Sequence, residues 1–124
     1  MNADNILIAY FVITVANVLV AAGFAATGIA RPEAIAPGDN SQQTRIFALY
    51  AAARALPLAF VTIVAVVLNA TEAVIWLGVA AGITQLADAA IGLKQRDFRK
   101  TFGPVVIAVL QLAAFAALWT TGVV

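Results

Sequence analysis

The chain contains no cysteine and no histidine in 124 residues. Without cysteine there are no disulfides and no thiol chemistry. Without either residue, zinc sites of the usual His/Cys kind, histidine-ligated haem and imidazole acid–base catalysis are excluded as well. No cofactor is therefore expected. Charge is also scarce, at 10% of residues, with seven Lys and Arg against six Asp and Glu. The formal net charge of +1 is too small an excess to argue for a nucleic-acid partner. Four of the six acidic residues (Asp4, Glu33, Asp39, Asp97) fall in expected termini or loops.

What fills the sequence instead is apolar: 64% hydrophobic residues and a mean hydropathy of +1.00. That balance lies outside the soluble globular range. A spanning helix takes about 20 residues, so the chain reads as an all-α membrane protein. The expected fold is a four-transmembrane-helix antiparallel bundle in one domain, 1–124, with helices at about 5–30, 45–69, 73–93 and 104–122. Residues 5–30 carry no charge and no basic flank precedes them, so they read as an uncleaved span and not a signal peptide.

The first loop, 31–44, contains Pro32 and the turn pair Pro37-Gly38, with Asp39, Asn40 and Ser41 as candidate caps for the second helix. The link at Asn69 to Glu72 is tight. In the third span Gly78, Gly82, Gln85 and Ala89 share one helical stripe, with Asp88 about 60° to its side. The glycine pair reads as packing inside the bundle. Lys94 to Lys100 form a basic loop that Phe98 and Phe102 could pin to the interface, read chiefly as a topology signal. Gly103-Pro104 reads as the start of the last helix.

Orientation follows from Lys and Arg. The first and third loops, with the helix-edge arginine, hold six of them: Arg31, Arg45, Lys94, Arg96, Arg99 and Lys100. The termini and the second loop hold none. The positive-inside rule then puts both termini outside and the two basic loops in the cytoplasm. Trp76 and Trp119 fall at the outer ends of their helices, where interface anchors belong.

The seventh basic residue, Arg54, stands well inside the second span, three residues before Pro57. A charge at that depth costs about 2.5–3.5 kcal/mol on an insertion scale. At about 1.5 Å per residue, Arg54 lies about 13 Å past Arg45, and Asp88 about 9 Å and Gln85 about 13 Å before Lys94. Gln111 lies about 10 Å past Pro104, and Asn17 sits near the midplane. Side chains lean toward their own helix N-terminus, so Arg54 and Asp88 are expected to meet as a pair. Each helix thus contributes to one polar layer: Asn17, Arg54, Gln85 with Asp88, and Gln111, with Tyr50 one turn below Arg54. Two readings stand. The layer is a buried knot that ties the bundle together, or it lines a cavity for an anionic or carbonyl-bearing lipophile.

The block ALYAAARALPLAF at 48–60, followed by QLADAAIGL at 85–93, resembles small four-helix membrane proteins grouped as a domain of unknown function, near the DoxX-like set. The stretch GFAATGIARPEAIAPG at 23–38 is similar to their helix-one exit. The resemblance implies the four-helix fold and makes Arg54 and Asp88 the family's paired charged positions. It implies no settled chemistry. Where such relatives carry an acidic residue or Gly soon after the Arg, this chain has Leu56-Pro57.

Three function classes stay open: a scaffold or accessory subunit of a membrane assembly, a binder or carrier of a lipophilic molecule at Arg54 and Asp88, and a membrane-embedded enzyme. The last is weakest, because an Asp paired to Arg makes a poor general base near neutral pH. Expected partners are the bilayer, a lipophilic ligand and a membrane protein, with no nucleic acid. The expected location is a membrane crossed several times, the bacterial inner membrane. The remaining lipid-facing residues, such as Phe11, Val66, Leu110 and Phe115, are smooth and specify no partner.

Overall fold

The computed structural model describes residues 2–124. It has four long helices, α1 (Ala3–Ala30), α3 (Gln42–Val67), α4 (Thr71–Lys94) and α5 (Phe98–Thr120), with one short turn of helix, α2 (Pro32–Ile35), in the first link. Each long helix is long and apolar enough to cross a membrane. In hydrocarbon every backbone N–H and C=O must bond within its own segment, so continuous helix is the form these runs take.

The ends are set by side chains in the polar links. The Asn2 side chain accepts from Asn5 N at 2.9 Å and caps α1. Ser41 caps α3 by accepting from Thr44 N at 3.2 Å. Asp39 braces that cap, accepting from Ser41 N and from the Thr44 hydroxyl, each at 2.8 Å. At their C-terminal ends α3 and α4 close alike. Asn69 (φ 52°) and Arg96 (φ 56°) take the left-handed conformation. Ala70 N then reaches Ala65 O at 2.9 Å, and Asp97 N reaches Gly92 O at 3.0 Å. These are the long bonds of a helix-terminating Schellman turn.

α5 begins at Phe98, six residues before the start expected at Gly103-Pro104. The reason is Asp97, whose carboxylate accepts from Arg99 N and Lys100 N at 3.1 and 3.2 Å and nucleates the helix inside the basic stretch. Pro104 is left in the helix body. It cannot donate to the carbonyl of Lys100, and the Cα of Gly92 comes up against that same carbonyl: a Cβ at Gly92 would lie 2.5 Å from Lys100 O. α4 and α5 cross tightly here because residue 92 has no side chain.

The bundle is antiparallel. Tyr10, Ile75 and Leu118 form one buried cluster, which brings the start of α1, the start of α4 and the end of α5 to one end. At the other end the Lys100 ammonium donates to the carbonyl of Ile35, joining the first link to α5. Around the bundle α1 packs chiefly on α3 and α4 chiefly on α5. α1 and α4 also touch across the diagonal, whereas α3 and α5 do not meet. The faces that meet are made of small residues: Ala48, Ala52, Ala59, Thr62 and Ala65 on α3, and Gly78, Ala81, Gly82, Ala89 and Gly92 on α4. Lipid is as apolar as leucine, so helices in it associate by close backbone approach, which small residues permit.

Candidate functional site

Halfway along the bundle a chain of hydrogen bonds links α1, α4 and α5. Gln85 Nε2 donates to Asn17 Oδ1 at 2.9 Å. Asn17 Nδ2 donates to Gln111 Oε1 at 3.3 Å. Gln111 Nε2 donates to Thr14 Oγ1 at 2.8 Å, and the Thr14 hydroxyl donates to Tyr10 O at 2.8 Å. One step toward the terminal end, Tyr10 OH donates to the carbonyl of Ile75 at 2.7 Å. Tyr10, Thr14, Asn17, Gln85 and Gln111 are all buried.

Gly78 makes the room. A Cβ there would collide with the Tyr10 hydroxyl and would lie 2.6 Å from Thr14 Oγ1 and 2.7 Å from Gln111 Nε2. Gly82 lies against Gln111 and Leu112 in the same seam. The glycine pair therefore works inside the bundle, as its shared stripe with Gln85 implies.

Three residues of the expected polar layer, Asn17, Gln85 and Gln111, are thus brought together. The other three are not. Arg54, Asp88 and Tyr50 are exposed on the outer surface, Tyr50 at 65%. The ion pair found among the described residues joins Lys100 and Asp97 at 3.4 Å, so Arg54 and Asp88 are not joined as the sequence reading expects. The reason for the difference is azimuth. α3 turns its alanine face inward, and Arg54, two residues past Ala52, lies about 200° around the helix from it. α3 sends no side chain into the polar chain; its one buried polar group, Thr62, bonds back to Leu58 O within its own helix.

Tyr10 and Thr14 are site residues that the sequence reading passes over. Their signal was present: Tyr10, Thr14 and Asn17 stand at i, i+4 and i+7, one stripe of α1.

Chemically the buried chain is a tie between helices. It consists of amides and hydroxyls, and every buried side-chain nitrogen and oxygen among the described residues has a hydrogen-bond partner. Its fully buried polar atoms are thus taken up within the bundle. The ionisable groups within the spans, Arg54 and Asp88, face outward instead. An apolar groove of about 400 Å³ lies elsewhere on the surface, between α1 and α3, lined by Phe11, Val12, Val15, Leu19 and Val66. No protein-family model, curated protein or solved structure matches the chain.

Proposed function

We propose that this multi-pass membrane protein is a non-catalytic accessory subunit of a membrane assembly, and that a partner membrane protein covers its α3–α4 face at Arg54, Asp88 and Tyr50. The observation that carries the reading is that two opposite charges are exposed on the outside of membrane-spanning helices. Facing hydrocarbon, each costs about 2.5–3.5 kcal/mol at the bilayer centre. A partner helix that offers an acidic group to Arg54 and a donor to Asp88 offsets that cost. The core supports the same reading, because each fully buried polar side-chain atom among the described residues already has a partner within the protein. The six-to-none distribution of Lys and Arg supports both termini outside the cytoplasm, in a bacterial inner membrane. The blocks at 48–60 and 85–93 support kinship near the DoxX-like set.

A photo-crosslinking amino acid at Tyr50, activated in intact membranes, tests the proposal. A discrete protein adduct, lost when Arg54→Glu is introduced, is the expected result. Labelling of lipid alone, unchanged by Arg54→Glu, overturns the subunit reading. It would favour a second one, in which the Arg54 guanidinium and Tyr50 hydroxyl hold a lipophilic anion or carbonyl compound.

A further inference from the structure

We propose that the corner where α4 turns into α5 binds the phosphodiester headgroup of an anionic phospholipid in the leaflet at the basic end of the bundle. The corner is an open cleft of about 530 Å³, lined by Ile35, Ala36 and Pro37 of the first link and by residues 95–100. Three cations surround it: Arg96, Arg99 and Lys100. Lys100 is spent internally, on the carbonyl of Ile35 and on Asp97. The carboxylate of Asp97 is spent too, on Arg99 N, Lys100 N and the Lys100 ammonium. What the cleft offers outward is the two guanidiniums, both on exposed residues. A guanidinium matches a phosphate with two parallel N–H bonds, and paired arginines at the end of membrane spans suit a lipid headgroup.

One further observation points to a lipid and not to a soluble anion. Phe98 and Phe102 stack beside the cleft, ring centroids 5.4 Å apart and planes 12° apart, yet are 75% and 56% exposed. An exposed aromatic pair at the end of a membrane span sits at the headgroup level, beside the first methylenes of the acyl chains. Arg96, moreover, occupies the left-handed position that ends α4, at φ 56°. Glycine or asparagine takes that position most readily. Here an arginine holds it, and its side chain lines the cleft.

The test uses the full chain in nanodiscs of phosphatidylcholine with a minor fraction of phosphatidylglycerol, read by native mass spectrometry of the lipid retained on ejection. Three proteins are compared: wild type, Arg96→Gln with Arg99→Gln, and Arg31→Gln with Arg45→Gln. Glutamine at 96 keeps a Cβ in the left-handed position, so the turn's conformation is not the variable. The second double change removes the same charge from the same end but outside the cleft. Wild type and the Arg31/Arg45 variant should retain phosphatidylglycerol over phosphatidylcholine. The Arg96/Arg99 variant should lose about 10-fold more of that preference than the Arg31/Arg45 variant, the effect of the charge-assisted hydrogen bonds that only a headgroup seated in the cleft makes. Equal losses in both variants would reduce the effect to the general field of the basic end and overturn the site. So would a wild type with no preference between the lipids. Inorganic phosphate that displaces the retained lipid as effectively as dispersed short-chain phosphatidylglycerol would show a free-anion site, and would overturn the lipid assignment.

Discussion

Asn17 donates to Gln111 at 3.3 Å across 94 positions of sequence, joining the first long helix to the last. The Asn17 oxygen is at the same time taken by Gln85. One amide therefore holds two helices, and its partners have no water to turn to if it is removed.

Asn17→Val should accordingly destabilise the bundle by about 1–2 kcal/mol. Interhelical hydrogen bonds in membranes average well under that, but here two buried amides lose a partner together. Thermal unfolding in mild detergent reads the change. In a cycle with Gln111→Leu the second substitution should cost less once Asn17 is gone. Strictly additive effects would mean that the two do not interact.

The two kinds of glycine should separate cleanly under Gly→Ala substitution. At Gly92 a Cβ would meet the backbone of Lys100 and Thr101 at 2.5–2.8 Å. Backbone cannot swing aside, so Gly92→Ala should cost about 1–3 kcal/mol, as overpacking does. At Gly23 nothing lies within 4 Å. Gly23→Ala should be neutral or stabilising by up to about 1 kcal/mol, the helix preference for alanine. Equal effects at the two positions would contradict the tight α4–α5 crossing.

Because Arg54 and Asp88 are exposed and not joined, their coupling in the isolated protein should be small, under about 1 kcal/mol. Arg54→Leu, Asp88→Leu and the double change, melted in detergent, give that number. A coupling of about 3 kcal/mol or more, the scale of a broken buried pair, would place the two in direct contact across α3 and α4.

Stability should fall on acidification in the low carboxylate range. Asp97 is held below its ordinary range, first by the backbone N–H of Lys100 and then by the Lys100 side chain and the Arg99 N–H. Asp39 is lowered in the same direction by Ser41 N–H and the Thr44 hydroxyl. A folded value below the unfolded one means the contribution is full above the unfolded value. It is lost as pH drops through the folded value. Asp97→Asn should leave α5 formed, since asparagine also caps, and should flatten the acid limb of a melting-temperature profile, leaving only the part due to Asp39. A limb unchanged by the substitution would remove Asp97 as its source.

The four spans were legible because hydropathy and length alone decide them. That Asn17, Gln85 and Gln111 meet was legible as well, since each is a polar residue well inside its own span. The azimuth of α3 was not. On α3 the inward signal is small size and not polarity: Ala48, Ala52 and Ala59 face in because they are small, and Arg54 is turned out with Tyr50. On α4 polarity points inward for Gln85, which shares the stripe marked by Gly78 and Gly82, and not for Asp88, which lies to the side of that stripe and is exposed. The start of α5 is hidden in the sequence because Pro104 is a familiar first-turn residue, whereas the cap at Asp97 lies in a run of charges that resembles a loop.

The polar chain binds helices one, three and four of the four long ones and passes over α3. That connectivity fixes an order of maturation during synthesis. α1 and α3 enter the bilayer first and lie together on smooth alanine surface, with the amide of Asn17 still waiting. Gln85 arrives with α4, but Gln111 arrives only with the last helix. The latch therefore closes only once α5 has entered the bilayer, and a nascent chain that stops short of α5 keeps an unquenched amide in hydrocarbon. The arrival of α5 is thus registered in α1.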